Sequence, residues 1–390
     1  MTIDSHKPHT ASGFTIVELL VVIVVIGILA AITIVAYTGI SQKAVASALQ
    51  SDLTNSAQQL KMYYTDHGTY PTGLDGNNCP TGPADTQYCL RPTPGNTYTY
   101  NVNTATNPQT FGLSANNGAV AYRITSDSAP IPCPLVFVVV PGSATYGTNA
   151  FCVMKYEAKN AGGNVPISQA SGTPWVSISQ TDASTYSANV AGCPACHLIT
   201  EAEWLTIAQN VLSVASNWNG GVVGTSYIYS GHNDNVPANA LVADASDANG
   251  YIGTGQSSPS NQKRTLTLSN GEVIWDLAGN VWEWTSGTST TGQPGTTGEG
   301  AYAWKEWTAV TAPGTLTPNP SPATTGLTGA GNWNSSNGVG ALYSYAGEVA
   351  TRGFLRGSGW NNGSYAGVLY LGLSTAPGDT TASIGFRASR

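Results

Sequence analysis

Residues 14–37 read FTIVELLVVIVVIGILAAITIVAY, a run that is apolar apart from two threonines, one glycine and one carboxylate, Glu18. Its length is enough to cross a bilayer as a helix. A cleavable secretory signal has an apolar core of about 7–15 residues closed by a small-residue cleavage site, so the run is too long for one. A plain membrane anchor explains the length but not Glu18, because a carboxylate near the bilayer centre is costly unless it has a partner. No Lys or Arg follows until Lys43. A cation arises beside Glu18 if the chain is cut before Phe14, which frees an amine there.

Gly13-Phe14-Thr15-Ile16-Val17-Glu18, followed by Leu19-Leu20, resembles the class III signal of type IV pilins and pseudopilins. The resemblance implies that residues 1–13 are a leader removed by prepilin peptidase after Gly13, and that Phe14 becomes N-methylated. It also implies that Glu18 meets the Phe14 amine of a neighbouring subunit. The implied partners are other pilin subunits, the peptidase, and the membrane through the N-terminal helix. The implied location is the cytoplasmic membrane before assembly and the cell surface or pilus after it. Val45, Leu49, Leu53, Leu60 and Tyr64 continue at helical spacing, and Gly68 is a natural stop. A helix over 14–66 is therefore expected. Val35 stands where many pilins carry a proline, a departure from the pattern.

The composition points to a folded, loop-rich extracellular chain. Charged residues are 9%, with 10 Trp and 19 Tyr. Disorder needs high charge and few aromatics. A net charge of −7 without a basic cluster argues against nucleic acid as a partner. Six cysteines fall into three near pairs: Cys79 with Cys89, Cys133 with Cys152, and Cys193 with Cys196. Outside the membrane an even count reads as disulfides. Fifteen connectivities are open, and local pairing is the simplest. Residues 67–130 contain two alternating stretches, Tyr98–Val102 and Val120–Ile124, which predict a small sheet beside the helix. The proline-rich Pro130–Pro134 marks a boundary, with a second domain over 131–390. A Thr-, Gly- and Pro-rich stretch, 286–331, reads as a surface insertion whose Trp304 and Trp307 dock back.

Four stretches of the second part carry a further resemblance: Phe151–Glu157, Leu198–Trp204, Trp275–Trp284 (WDLAGNVWEW), and Arg356–Trp360 (RGSGW) with Ile384–Arg387 (IGFR). In this order they resemble the formylglycine-generating enzyme type of C-type lectin-like domain. The expected fold class is thus α+β: a long pilin helix with a small β-sheet, then a loop-rich mixed α/β lectin-like domain. On the residues alone, Thr200 and Glu203 read as a helix capping box, the tryptophans as core, and Arg387 as a paired arginine. The resemblance implies a structural calcium held by Asp276 and Glu283 side chains and Gly279 and Val281 carbonyls, a set suited to a hard cation. The rival is a hydrogen-bonded loop without metal. Asp244–Gly250, with alternating acidic and amide oxygens, is a weaker candidate.

Catalysis by the known routes lacks its groups. Enzymes of this type use a cysteine pair late in the chain, and here no cysteine follows Cys196. Iron-dependent relatives use histidine triads, whereas His67, His197 and His232 show no ligand spacing. The chain is read as no enzyme. Cys193-Pro194-Ala195-Cys196-His197 matches the c-type haem pattern. It occurs once and runs directly into a helix signature, which favours a structural disulfide over haem.

Between RGSGW and IGFR lies NNGSYAGVLYLGLSTAPGDTTAS. This frame resembles the variable region of proteins diversified by retroelements that mutate adenines. Asn361, Asn362, Ser364, Tyr365, Tyr370, Gly372, Ser374, Thr375, Asp379, Thr381 and Ser383 are the expected ligand-binding positions within 356–390. Tyr, Ser, Gly and Asn are the residues that binding loops favour. Alternation of Val368, Tyr370, Gly372 and Ser374 against Leu369, Leu371 and Leu373 predicts a strand with one face exposed. The ordinary alternative is a polar loop and strand edge. The leading functional expectation is a surface pilin that displays a lectin-fold head to an unknown protein or glycan ligand. An envelope-tethered oxidoreductase of the formylglycine-generating type and a purely structural pilin are the alternatives.

Overall fold

The computed structural model describes residues 16–104, 108–118, 120–193, 195–254, 261–290, 292–294, 300–307 and 333–390. Gly13, Phe14 and the Glu18 side chain lie outside the described residues, as do the side chains of 31–39 and most of the Thr/Gly/Pro-rich stretch. Helix α1 (Ile16–His67) covers the expected helical span. It ends at Gly68, whose φ of +72° suits a residue without Cβ and whose N–H closes on the Tyr64 carbonyl. The chain forms two units that divide within this helix, after Ala48. In the first, the large apolar side chains described between Ile16 and Leu29 are exposed. Among the described residues, no helix is long and apolar enough to cross a membrane. The expected transmembrane helix at 14–37 falls partly outside them.

In the second unit, Leu49, Leu53, Ser56, Leu60 and Tyr63 form the buried stripe of α1. Tyr63 takes the place expected of Tyr64, because four turns of about 3.6 residues counted from Leu49 end nearer 63 than 64. The stripe lies near a four-stranded antiparallel sheet of β1 (Thr97–Asn103), β2 (Thr110–Asn117), β3 (Val120–Thr125) and β4 (Ile131–Pro132), in that order. Buried Asp52 accepts hydrogen bonds from the Thr93 amide, the Thr93 hydroxyl and the Asn96 amide at 2.7–2.9 Å, fixing the turn that leads into β1. Cys79 and Cys89 close the loop before it. Strand β4 pairs with β3 across the expected boundary at 130/131, Tyr122 opposite Pro132, so no free linker separates the two parts.

The second part is built on two sheets. Strands β5 (Phe137–Val140) and β6 (Phe151–Met154) pair directly, and β7 (His197–Leu198) and β14 (Ala388–Ser389) complete a sheet of order β7-β14-β6-β5. The larger sheet contains β8 (Trp282–Ser289), β9 (Ala303–Lys305), β10 (Leu342–Ser344), β11 (Arg352–Arg356), β12 (Leu371–Gly372) and β13 (Ile384–Phe386), in the order β9-β10-β12-β11-β8-β13. Helices α2 (Gln180–Ser187) and α3 (Glu201–Leu212) pack on them. Thr200 and Glu203 form the expected capping box of α3. Trp204, Trp218, Trp284 and Trp307 are fully buried, so they anchor the core.

Two expectations change. The insertion expected from 286 begins inside β8, where Thr288 and Ser289 pair with Gly353 and Arg352; a polar strand without apolar alternation reads as a loop. The proposed exposed face over 368–374 is absent. Strand β12 lies between β10 and β11, and every residue from Ala366 to Leu373 is buried. A central strand covered on both faces gives alternation no meaning.

One ion pair joins the pilin-like sheet to the second part. Arg123 on β3 reaches Glu272, whose side chain is 4% exposed, and Arg123 also donates to the Phe137 carbonyl. An Arg123→Ala variant leaves Glu272 buried without its cation. The expected loss is about 3 kcal/mol of unfolding free energy, read by denaturant titration.

Candidate ligand-binding site

Two buried arginines flank residues 361–383, and the first bonds into them. Arg356, at the end of β11, forks onto Glu201 at the start of α3, with Nε and Nη2 at 3.1 and 2.5 Å from Oε2. Its Nη1 donates to the Leu369 and Tyr370 carbonyls at 3.2 and 3.3 Å. Arg387, just past β13, forks onto Glu283, and donates to the Met154, Trp275 and Asp276 carbonyls. Both guanidinium groups are wholly buried. Such forks combine charge with fixed geometry. Trp204 adds a hydrogen bond to the Val368 carbonyl, 2.8 Å. Gly367 lies against the backbone of 338–340; a Cβ there would come within 2.2 Å of Gly340 N, so no other residue fits.

What the frame leaves outside is split in two. Asn361, Ser364, Asp379 and Thr381 are exposed; Asn362, Tyr365, Ser374, Thr375 and Ser383 are half-buried. Tyr370 and Gly372, expected on the binding face, are buried instead, because the former packs beneath the sheet and the latter belongs to β12. Burial pushes the Tyr370 phenol well above its ordinary pKa.

Main-chain atoms hold both exposed segments. In the first, Trp360 N donates to Asn280 O, Asn235 N to Trp360 O, Gly363 N to Asn233 O and Ala341 N to Tyr365 O. In the second, Gly353 N donates to Thr375 O, Gln180 N to Pro377 O, Ser177 N to Thr381 O and Trp282 N to Ser383 O. Side chains contribute locally: Asp379 accepts from the Ala376 amide, and the Thr381 and Ser383 hydroxyls meet at 3.1 Å.

The first segment borders features that sequence reasoning missed. A cleft of about 410 Å³ beside Gly363 and Ser364 is walled by Tyr227, Asn233, Asp234, Asn261 and Gln262. Tyr365 stacks on Trp304 with centroids 4.3 Å apart and planes 4° from parallel. Trp307 docks in the core as expected, whereas Trp304 stays 37% exposed. The available signal was the polar run Ser230–Asn235, of which Ser230, His232 and Asn233 are buried and Asp234 and Asn235 exposed.

The WDLAGNVWEW loop is organised by charge. Asp276 adopts φ +52° and accepts a fork from Arg264, both bonds 2.7 Å, with both side chains buried. Glu283 is taken by Arg387. Glu157, also buried, accepts from the Asn280 side chain and the Val281 amide. Calcium asks for about six to eight oxygens with anionic charge to spare. Here each carboxylate of the expected set is already closed by a guanidinium, so Asp276, Gly279, Val281 and Glu283 do not fit calcium. In the Asp244–Gly250 turn, both aspartates spend their oxygens on neighbouring N–H and hydroxyl groups. Among the described residues no group of three His, Cys, Asp or Glu side chains is placed to hold a metal.

All six cysteines are paired as the local spacing indicated: Cys79–Cys89, Cys133–Cys152 and Cys193–Cys196. Neither sulfur of the CxxCH motif is therefore open to a thioether bond with haem. His197 follows that motif. Its Nδ1 faces the Ala195 carbonyl at 3.2 Å, and its Nε2 faces both Glu203 oxygens and the Ser389 hydroxyl at 3.1 Å. Acceptors on both nitrogens favour the doubly protonated ring. The hydrogen bond to Glu203 accordingly raises its pKa, against the cost of burial.

The family model for a sulfatase-modifying factor enzyme 1-like domain matches residues 124–390, and a prokaryotic N-terminal methylation motif matches residues 9–34. Among curated proteins, the type II secretion system core protein G of Dickeya chrysanthemi is 39% identical over 64 residues, 16% of this chain and 42% of that protein. Core protein G of Aeromonas hydrophila is 42% identical over 67 residues, 16% of this chain and 47% of that protein. The chain thus spans less than half the length of these curated relatives. Among solved structures, the Major Tropism Determinant P3c variant is 16% identical at a TM-score of 0.28, covering 66% of this chain and 52% of its own. Treponema denticola variable protein 1 is 14% identical at 0.28, covering 76% and 99%. Scores this low do not establish a shared shape.

A raised histidine pKa stabilises the fold fully below the unfolded value and loses that contribution as pH rises through the folded one. His197→Ala should therefore destabilise the protein more at about pH 6 than at about pH 9. Thermal melts of both proteins across that range check it.

Proposed function

Since the chain belongs over residues 124–390 to the sulfatase-modifying factor enzyme 1-like family and carries an N-terminal methylation motif, we propose that it is a surface pilin-like protein displaying a ligand-binding head. Cleavage after Gly13 frees the Phe14 amine. Glu18 then pairs with that amine on a neighbouring subunit, which offsets the cost of a carboxylate among apolar helices. The membrane and other pilin subunits are the partners of this segment, and the likeness of the N-terminus to type II secretion core protein G supports that reading. The head faces outward on a pilus and binds a ligand through Asn361, Asn362, Ser364, Tyr365, Ser374, Thr375, Asp379, Thr381 and Ser383.

The observation that carries the binding role is the way the frame is held. Buried Arg356, with main-chain hydrogen bonds, fixes the segment 361–383 while the outward side chains take little part. A rigid scaffold whose exposed side chains are free of structural duty can change them at little cost in stability. The disulfides support binding over catalysis: every cysteine is bonded, so no thiolate is present to act as nucleophile or copper ligand.

Sequencing codons 356–390 in sibling cells tests the reading. Amino-acid changes should fall on the nine outward positions and spare 366–373, where Tyr370 and Gly372 are buried. Changes spread evenly along the stretch, or synonymous drift alone, would favour a purely structural pilin.

A further inference from the structure

Resting on that reading, we propose that the 361–365 half of the site binds a neutral saccharide, in the cleft between Ser364 and the loop 230–235. The cleft walls offer three side-chain amides (Asn233, Asn261 and Gln262), one carboxylate (Asp234), a phenol and a hydroxyl. No Lys or Arg is among the described residues lining it. Amides and carboxylates give paired donors and acceptors at fixed angles, which match the adjacent hydroxyls of a sugar ring. A carboxylate in a wall where no described residue is Lys or Arg disfavours phosphate, sulfate or sialic acid groups. A protein-binding patch instead has an apolar core with polar groups at its rim. Here the order is reversed, because Asn233 and Gln262 are polar yet only 7% and 5% exposed.

Two buried polar atoms belong to the chain neighbours of the cleft residues Gly363 and Asn233. The Asn362 side-chain nitrogen is buried and has no hydrogen-bond partner among the described residues. Nor does the Nδ1 atom of His232, a wholly buried ring whose Nε2 donates to the Pro237 carbonyl, and whose Nδ1 lies 3.4 Å from Asp234. Buried polar groups left unpaired are rare and costly. Next to Ser364, the Tyr365–Trp304 stack supplies an exposed flat apolar surface of the kind that sugar C–H faces pack against. The cleft volume of about 410 Å³ lies within the range of small-ligand sites.

The test uses the full-length protein in mild detergent, probed with neutral mannose-, galactose-, glucose- and N-acetylglucosamine-based oligosaccharides and with sialylated and sulfated ones. Tryptophan fluorescence gives a first readout and a glycan array a second. At least one neutral glycan should bind and the anionic ones should not. Asp234→Asn and Trp304→Ala should each weaken binding by about tenfold or more with unchanged melting temperature, while Asp127→Asn, at an exposed position just past β3, binds as the parent does. Binding that needs sulfate or sialic acid overturns the assignment, as does parent-like affinity in both cleft variants. Failure of all neutral glycans while the outward positions still vary among sibling cells overturns the saccharide alone and leaves ligand display standing. Invariant positions with intact glycan binding would do the reverse.

Discussion

The pairing of buried arginines with buried carboxylates is the constraint on which the head depends. Arg356 with Glu201, Arg387 with Glu283, and Arg264 with Asp276 each remove two charges from water in a chain where only 9% of residues are charged. Such a pair gives little net stability over an apolar substitute, yet breaking one leaves a buried charge and is expensive. Its value is therefore geometric. Each guanidinium spends remaining N–H groups on carbonyls from other segments, and Arg356 in this way ties a helix, a strand and a loop together. A loop-rich fold with many short strands needs such ties, because its backbone polar groups cannot all be satisfied by long ladders.

The same pairs bear on two functional questions. They occupy the carboxylates that would otherwise invite calcium, turning a candidate metal loop into an ionic clasp. They also relieve the 361–383 segment of structural work at its surface, since what holds it is buried beneath or lies in its own main chain. Asn361, Ser364, Asp379 and Thr381 project from that frame, whereas Val368, Leu369, Tyr370 and Leu371 fill it.

Much of this was legible in the sequence. The period of Leu49, Leu53 and Leu60 and the stop at Gly68 gave the helix; Thr200 and Glu203 gave the start of α3; the cysteine spacing gave the disulfides. The methylation motif and the paired RGSGW and IGFR stretches were legible as residues in order. Tyr370 and Gly372 were misread, because alternation along one strand does not reveal whether neighbours cover both its faces. Asp276 and Glu283 were read as calcium ligands without sight of their ion-pair partners, Arg264 and Arg387, which stand 12 and 104 residues away where no local pattern links them. The cleft was invisible for a related reason: Asn233, Gln262 and Ser364 meet only through the fold.

The claim that the frame, rather than the displayed side chains, carries the stability is most directly tested by thermal unfolding of one combined variant. In it Asn361, Ser364, Asp379 and Thr381 are all replaced by Ala, and it is compared with the single variant Tyr370→Ala. The account predicts a melting temperature within about 3 °C of the parent for the fourfold change. It predicts a loss of about 3 kcal/mol for the single buried one. A fourfold variant that unfolds well below Tyr370→Ala would contradict it.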